Sequence, residues 1–379
     1  MKVYIDVSCL LAVPYVSGIQ RVVIEISCGL INRGREVVLF VDAGRDEFSA
    51  IDNQTFYDFY KLNIGCKEDI KHNYRGKYSE INQNDIFLDL DAVWNPYGRD
   101  RNWLYKILKN NRVKVVTYVY DLIALNEADT VDNELLFRYL KYINATLSLS
   151  DIVLNETNCG AEGLKEFARK MGYGEIECFS TWLGADFGQQ EEKQEMIDEV
   201  ISPVIDSKFV LMTGTLEVRK NHKLVLDAFD NGLFEEGYKL VFVGREDWRN
   251  EEFLNRVWNH KRYNKDIFFF NRLNDSSLDI LYKKAIMLAF PSYDEGFGLP
   301  IVESLVRGTP VIAADIPVMR EVGGDLAIYF EQDNVADFIS VFRNKVENID
   351  AYNQLIENLK RYRPEPWDAV VNRIEQIIF

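Results

Sequence analysis

The chain has 379 residues, 47% of them hydrophobic and 27% charged, with 22 glycines and 9 prolines. Such a length exceeds one ordinary core and suits two domains, and the composition is that of a globular protein rather than a disordered one. A formal net charge of −16 sets most of the surface against a phosphate backbone, which argues against nucleic acid as a partner.

Taken in chain order, strand-like and helix-like segments alternate. Met1–Val7 reads as a strand whose apolar run is interrupted by Asp6, so it lacks the pattern of a cleavable secretion signal. No apolar stretch reaches the roughly 18–20 residues that cross a bilayer. These features predict a cytoplasmic protein, soluble or peripheral at the inner membrane. Ile19, Val22, Val23, Ile26 and Leu30 then recur at helical spacing, and Gly34 stands where that helix should stop. Strands are expected at Val37–Val41, Asp85–Leu90, Val113–Tyr120 and Ile152–Leu154, with helices at Trp103–Lys109 and Glu134–Ser148. From Lys61 to Lys114 eleven Lys and Arg oppose seven Asp and Glu, a local surplus of four positive charges. That stretch suits either an anionic membrane face or lipid-linked acceptor, or simply a solvated surface.

Around Gly188 the pattern breaks into the polar run Gln189–Glu195, and a second series begins. Its strands are expected at Lys208–Thr213, Lys239–Val243, Ile267–Phe270, Met287–Phe290, Val311–Ala314 and Ala327–Phe330. A last helix, Trp367–Ile378, follows Pro364 and Pro366. Alternation of this kind predicts an α/β protein with parallel sheets covered on both faces. The expected architecture is two doubly wound, Rossmann-like domains facing across a cleft. They would span residues 1–188 and 189–362, with residues 363–379 packing back on the first. In such sheets ligands collect at the carboxyl ends of the strands. The five cysteines have no short paired spacing, and His72, His222 and His260 lie far apart. Neither a zinc site nor a disulfide framework follows, free thiols suit a reducing cytoplasm, and no bound metal or resident cofactor is expected.

Four loops carry candidate chemistry. After the strand ending at Phe290 comes Pro291–Glu303 (PSYDEGFGLPIVE), in which Pro300 sits where a helix should open. The free N–H groups and positive end of that helix would face the loop and attract phosphate, at roughly 0.3–1 kcal/mol for the dipole. Gly296 and Gly298 allow close backbone approach, and Glu295 before the helix and Glu303 in its first turn can border one ligand at different depths. A glycine-bearing strand–helix turn without a ligand is the competing reading. In Thr213–His222 (TGTLEVRKNH), Arg219 and Lys220 again follow a strand and precede a helix. They suit a diphosphate, at about 1.5–3 kcal/mol per charge-assisted hydrogen bond, or they are a solvated basic pair. Gly18, in Ser17-Gly18-Ile19, could approach a phosphate or an acceptor, or be an ordinary loop glycine. The dinucleotide fingerprint is absent there. Asp121, closing Tyr118–Asp121, either faces a cleft or caps the next element.

Together these segments resemble the retaining glycosyltransferase family 4, whose members have the two-domain GT-B fold. Phe290 to Glu303, followed by Arg307-Gly308-Thr309-Pro310-Val311-Ile312-Ala313, is similar to that family's signature, with its two glutamates eight positions apart. The Arg219-Lys220-Asn221 turn after Gly214, Leu183–Asp186 and Ser17–Arg21 match as well. The resemblance implies a donor sugar on a nucleoside diphosphate, GDP-mannose being favoured, and an acceptor saccharide or lipid-linked saccharide in surface polysaccharide assembly. It implies that Glu303 takes the ribose hydroxyls and that Glu295, with the backbone of Gly296, Phe297, Gly298 and Leu299, holds sugar and diphosphate. Arg219 and Lys220 would neutralise the leaving diphosphate, Gly18 would face it, and Gly244, Arg272 and Leu273 would border the base. Catalysis would be electrostatic, metal-independent and retaining. Two positions depart from the family pattern. Tyr120 stands where many members carry His, leaving a phenol as the sugar contact, and Thr215 replaces a frequent Arg after the glycine. Those departures keep open a non-catalytic nucleotide-sugar-binding partner subunit, and more remotely an epimerase.

Overall fold

The computed structural model describes residues 1–379 except 14–15, 127, 129–130 and 186–197, and all side chains of the described residues except that of Trp248. The chain divides into two compact units, Met1–Gly184 with Glu365–Phe379, and Ala185–Pro364. The run Gln189–Glu195, the boundary near Gly188 and Asp186 lie outside the described residues.

The first unit holds an eight-stranded sheet: β1 (Lys2–Asp6), β2 (Glu36–Gly44), β3 (Glu47–Ile51), β4 (His72–Lys77), β5 (Ile86–Asp89), β6 (Lys114–Tyr118), β7 (Ile152–Asn155) and β8 (Cys178–Ser180). Their spatial order is β4-β3-β2-β1-β5-β6-β7-β8. β1, β2 and β5 to β8 run parallel, and their near-continuous Val, Ile, Leu and Phe content suits burial on both faces. β3 and β4 correct the expectation of a purely parallel sheet, because they extend β2 as antiparallel strands. Alternation of apolar residues fails to reveal β4, where every residue but Gly76 is exposed. A polar outermost strand also discourages pairing with another chain.

The helix Gly18–Asn32 buries Val22, Val23, Ile26 and Leu30 on one face and ends as Gly34 takes φ +76°. The closing helix Trp367–Ile378 belongs to this unit, burying Val370, Val371, Ile374 and Ile378. Arg33 fastens it through Asp368 at 2.7 Å and Glu375 at 2.9 Å.

The second unit has six parallel strands: β9 (Phe209–Thr213), β10 (Lys239–Val243), β11 (Ile267–Phe270), β12 (Met287–Phe290), β13 (Val311–Ala314) and β14 (Ile328–Phe330). Their order is β11-β10-β9-β12-β13-β14. The chain therefore winds outward from β9 in one direction, then returns to start β12 on its other side. Between β9 and β12 the winding reverses, and in doubly wound sheets that switch point is where the loops part and leave a ligand-sized opening. Its core packs Val210, Met212, Phe242 and Ala289 of the strands against Leu226, Phe229, Phe338 and Phe342 of the covering helices.

Candidate functional site

The two loops that leave the switch point of the second unit are those after β9 and β12. Residues 219 and 295 are far apart in sequence, but their parent strands are hydrogen-bonded neighbours, with Leu211 opposite Leu288. The loop after β9 makes a single tight turn at Val218–Lys220, then Asn221 takes a left-handed conformation, φ 50°, and opens the helix His222–Ala228. An asparagine tolerates that conformation better than most residues. Its amide also donates to Asp333, the residue that accepts the Tyr293 hydroxyl at 2.8 Å, so the loop after β14 ties the other two together.

Backbone bonds then join the loops directly. Tyr293 N donates to the Arg219 carbonyl at 2.9 Å, and Arg219 Nη1 donates to the Asp294 carbonyl at 2.8 Å. Glu295 accepts both cations, Arg219 Nη1 at 2.9 Å and Lys220 Nζ in a closer pair. The three side chains are only 16%, 13% and 9% exposed for Arg219, Lys220 and Glu295. Burial works against the Glu295 carboxylate, but Arg219 and Lys220 more than offset it and hold its pKa down at about 2. Burial pulls the Lys220 ammonium below the ordinary lysine range, with Glu295 pushing back. Glu217 adds a second carboxylate 3.0 Å from Arg219. Two cations and two carboxylates thus balance beside the switch point, and an arriving anion must compete with Glu295. Below them His222 is enclosed by Phe242 and Phe253, and burial pushes its pKa down to about 3, so it is a neutral core residue.

The helix after the second loop spans Leu299–Val306, preceded by Gly298 at φ +91° and with Pro300 in its first turn. Only glycine adopts that backbone without strain, and it turns the chain so that the helix opens toward the loop. Phe297 is buried, so only its backbone is available there. The expectation that Glu303 lies in the first turn needs correction: the helix begins at Leu299, and Glu303 is its fifth residue, in the second turn. Its carboxylate accepts the Tyr282 hydroxyl at 2.8 Å, and that hydroxyl also meets Thr213 Oγ1 at 2.8 Å. Neither Tyr282 nor Thr213 stood out in the sequence. Leu278, Leu281 and Tyr282 read together as an apolar helix face, and nothing local distinguishes the one hydroxyl among them.

Gly244 has a steric reason to be glycine. At φ +157° an added Cβ would lie 1.9 Å from the Gly214 carbonyl oxygen, inside any permitted contact. Gly214 N donates to Val243 O at 2.9 Å, and Leu216 N to Arg245 O at 2.8 Å, so the loops after β9 and β10 lie in layers. Thr215 lies within this layering, its carbonyl accepting Glu217 N at 2.8 Å. Arg272 and Leu273 follow β11, two strands out from β9 at roughly 5 Å per strand, with Arg272 exposed.

The remaining predicted residues belong to the first unit. Gly18 is exposed and opens its helix. Asp121 Oδ1 accepts Ile123 N at 2.9 Å, which is the capping alternative. Tyr120, expected as a sugar contact, has a buried ring, and its hydroxyl donates to the Leu90 carbonyl at 2.6 Å. At this unit's own switch point, between β1 and β5, Arg101 fills the space. It is buried, 2.8 Å from Asp6 and 2.6 Å from Asp89. Asp91 nearby has its pKa raised to about 7 by burial.

The cations of Lys61–Lys114 do not form one free surface. Arg101 is internal, Lys61 pairs with Glu25, Lys67 donates to the Leu10 carbonyl, and Arg99 pairs with Asp42. A pocket of about 450 Å³ lined by Lys109, Arg112, Lys114 and Asp151 lies at the amino end of β6, the opposite edge from the ligand-collecting one. Among the described residues no three His, Cys, Asp or Glu are grouped to hold a metal ion, and no helix is long and apolar enough to cross a membrane.

Comparison with known proteins places this geometry. Residues 194–362, a little under half of the chain, match the family model of glycosyl transferases group 1. The chain is 34% identical over 160 residues to a serotype-specific mannosyltransferase WbdA of Escherichia coli, covering 41% of this chain and 20% of the relative. It is 29% identical over 180 residues to the O-antigen chain mannosyltransferase RfbU of Salmonella typhimurium, covering 47% and 46%. The chain thus spans about a fifth to under half the length of these relatives. Among solved structures, sucrose-phosphate synthase from Thermosynechococcus elongatus superimposes with TM-score 0.66 at 14% identity over 99% of this chain and 98% of that one. Anabaena HepE in complex with UDP-glucose gives 0.67 at 13% identity over 100% and 99%. The fold is that of the GT-B glycosyltransferases.

Proposed function

Starting from a chain with the GT-B fold whose residues 194–362 are a glycosyl transferases group 1 domain, we propose that the protein is a hexosyltransferase using a nucleoside-diphosphate sugar. Mannose carried on GDP is the favoured donor, and the acceptor is a saccharide or lipid-linked saccharide of a surface polysaccharide. The likeness to relatives named as serotype-specific and O-antigen chain mannosyltransferases supports that choice.

The observation that carries the reading is the meeting of Arg219, Lys220 and Glu295 at the switch point, beside the amino end of the helix Leu299–Val306. In this reading the donor diphosphate draws Arg219 and Lys220 away from Glu295. Departure of the diphosphate concentrates negative charge on its oxygens, and two pre-placed cations in a partly dry site lower that barrier. The released Glu295 carboxylate then accepts hydroxyls of the transferred sugar, and Glu303 accepts those of the ribose. No metal is needed in this scheme, and the anomeric configuration is retained.

Thermal shift of the full chain with GDP-mannose, UDP-glucose and ADP-glucose tests donor binding. A ligand at 100 times its Kd adds about 2.7 kcal/mol of stability, roughly 5–10 °C for a unit of this size. Lys220→Ala should keep the fold and lose transfer by a factor of about a hundred or more. Wild-type turnover in that variant would remove the mechanism.

A second reading, a non-catalytic nucleotide-sugar-binding partner subunit, draws support from the internal use of the Tyr120 hydroxyl and the capping role of Asp121. Slow hydrolysis of bound donor favours the enzyme. Donor binding without hydrolysis or transfer favours the partner subunit.

A further inference from the structure

Glu303 is held by a relay of hydroxyl groups. Tyr282, on the helix Asp275–Lys284, is fully buried, with its hydroxyl 2.8 Å from Glu303 Oε2 and 2.8 Å from Thr213 Oγ1. An ionised carboxylate only accepts, so the phenol proton goes to Glu303, and Thr213 must donate to the phenol oxygen. Both directions are therefore fixed, from Thr213 to Tyr282 to Glu303.

The phenol is itself immobilised. The Tyr282 carbonyl accepts Thr309 Oγ1 at 2.5 Å, and the Arg307 guanidinium lies 5.0 Å from the centre of its ring. Arg307 is anchored in turn by Asp279 at 2.8 Å and by the Glu303 carbonyl at 2.9 Å. Thr213 is the last residue of β9, the strand end from which the Arg219–Lys220 loop departs. The orientation of Glu303 is thus tied to the strand end that also sets the two cations. Glu303 takes the buried phenol proton, and Thr213 fills the acceptor side of the same oxygen. The bond to Glu303 fixes one carboxylate oxygen, and among the described residues Oε1 takes no hydrogen bond.

Resting on the reading in which Glu303 accepts ribose hydroxyls, we propose that Tyr282 is a positioning residue that aims Glu303 Oε1 at a vicinal diol and makes the site selective for ribonucleoside diphosphates. The selectivity comes from preorganisation: a carboxylate already held by one oxygen gives up less freedom when the other engages a ligand.

The test is calorimetric titration of the full chain with GDP, UDP and ADP, then with the 2′,3′-dideoxy form of whichever binds tightest. Wild type should prefer the ribose form by roughly tenfold or more, the scale of a hydrogen bond to a charged group. Tyr282→Phe keeps the ring and its packing but removes the bond. It should bring that preference down severalfold toward parity while leaving the affinity for the dideoxy ligand unchanged. A phenol that only supports the fold would weaken both ligands alike, and an unchanged ratio overturns the assignment. If Tyr282→Phe does not fold, Thr213→Val, which keeps the volume and removes the donor to the phenol, is read by the same ratio. A wild-type ratio in that variant likewise overturns it. Failure to bind any of the three nucleotides overturns the underlying donor reading and this one with it, whereas binding with an unaltered ratio overturns only the role of Tyr282.

Discussion

Replacing Glu295 by glutamine should destabilise the unliganded second unit and make it a better anion binder. The carboxylate is 9% exposed and its pKa falls from 4.5 to about 2 because Arg219 and Lys220 overcome its burial. One pKa unit is about 1.4 kcal/mol, so ionised Glu295 contributes on the order of 3 kcal/mol at neutral pH. The sign follows from the depression. The contribution is complete above the unfolded value near 4.5 and is lost as pH falls toward 2, with roughly half remaining at pH 3. Glutamine leaves both cations without that partner, so Glu295→Gln should lower the unfolding free energy at pH 7 by about 3 kcal/mol, a drop of roughly 6–12 °C in Tm. The difference from wild type should shrink at pH 3. Without the competing carboxylate, inorganic pyrophosphate should bind more tightly to the variant and restore its Tm. The assay is calorimetric melting of the full chain at both pH values, with and without pyrophosphate. A variant as stable as wild type at pH 7, or one that binds pyrophosphate no better, would refute the idea that Glu295 is the internal counter-ion of the anion site.

Arg101→Met should cost about 3–5 kcal/mol in the first unit, because Asp6 and Asp89 lose the guanidinium they share while buried. Denaturant unfolding measures it, and a loss under 1 kcal/mol would show that those carboxylates find other partners. Gly244→Ala should lower the Tm of the second unit by several degrees and abolish nucleotide binding, since the methyl group would lie 1.9 Å from the Gly214 oxygen. Unchanged melting would mean that the loops after β9 and β10 separate freely.

Much of the fold was legible locally. The six strands of the second unit stand within a residue or so of where apolar β-branched runs end at glycine or turn residues, because a strand buried on both faces must be apolar throughout. Gly34 and Pro300 marked a helix end and a helix start for equally local reasons. β4 escaped because an exposed strand leaves no apolar signature, and β3 because it is only five residues long, with Phe48, Ala50 and Ile51 buried. Glu303 was placed one residue too near the helix start because Pro300 was read as the opening residue, whereas Gly298 sets the start at Leu299. The partner of the Tyr120 hydroxyl, the Leu90 carbonyl, lies 30 residues away and is set by packing, whereas the cap that Asp121 makes to Ile123 N is local and was one of its two readings.

By itself the sequence determined the six strands of the second unit, which turns are glycine-built and where acids and cations sit on those turns, since these depend on neighbours a few residues away. Only the tertiary structure decided that β9 lies beside β12, and hence that Arg219, Lys220 and Glu295 form one buried cluster with Glu303 set by Tyr282 and Thr213. Strand order is chosen by how whole layers bury their faces, and no periodicity within a single segment carries that information.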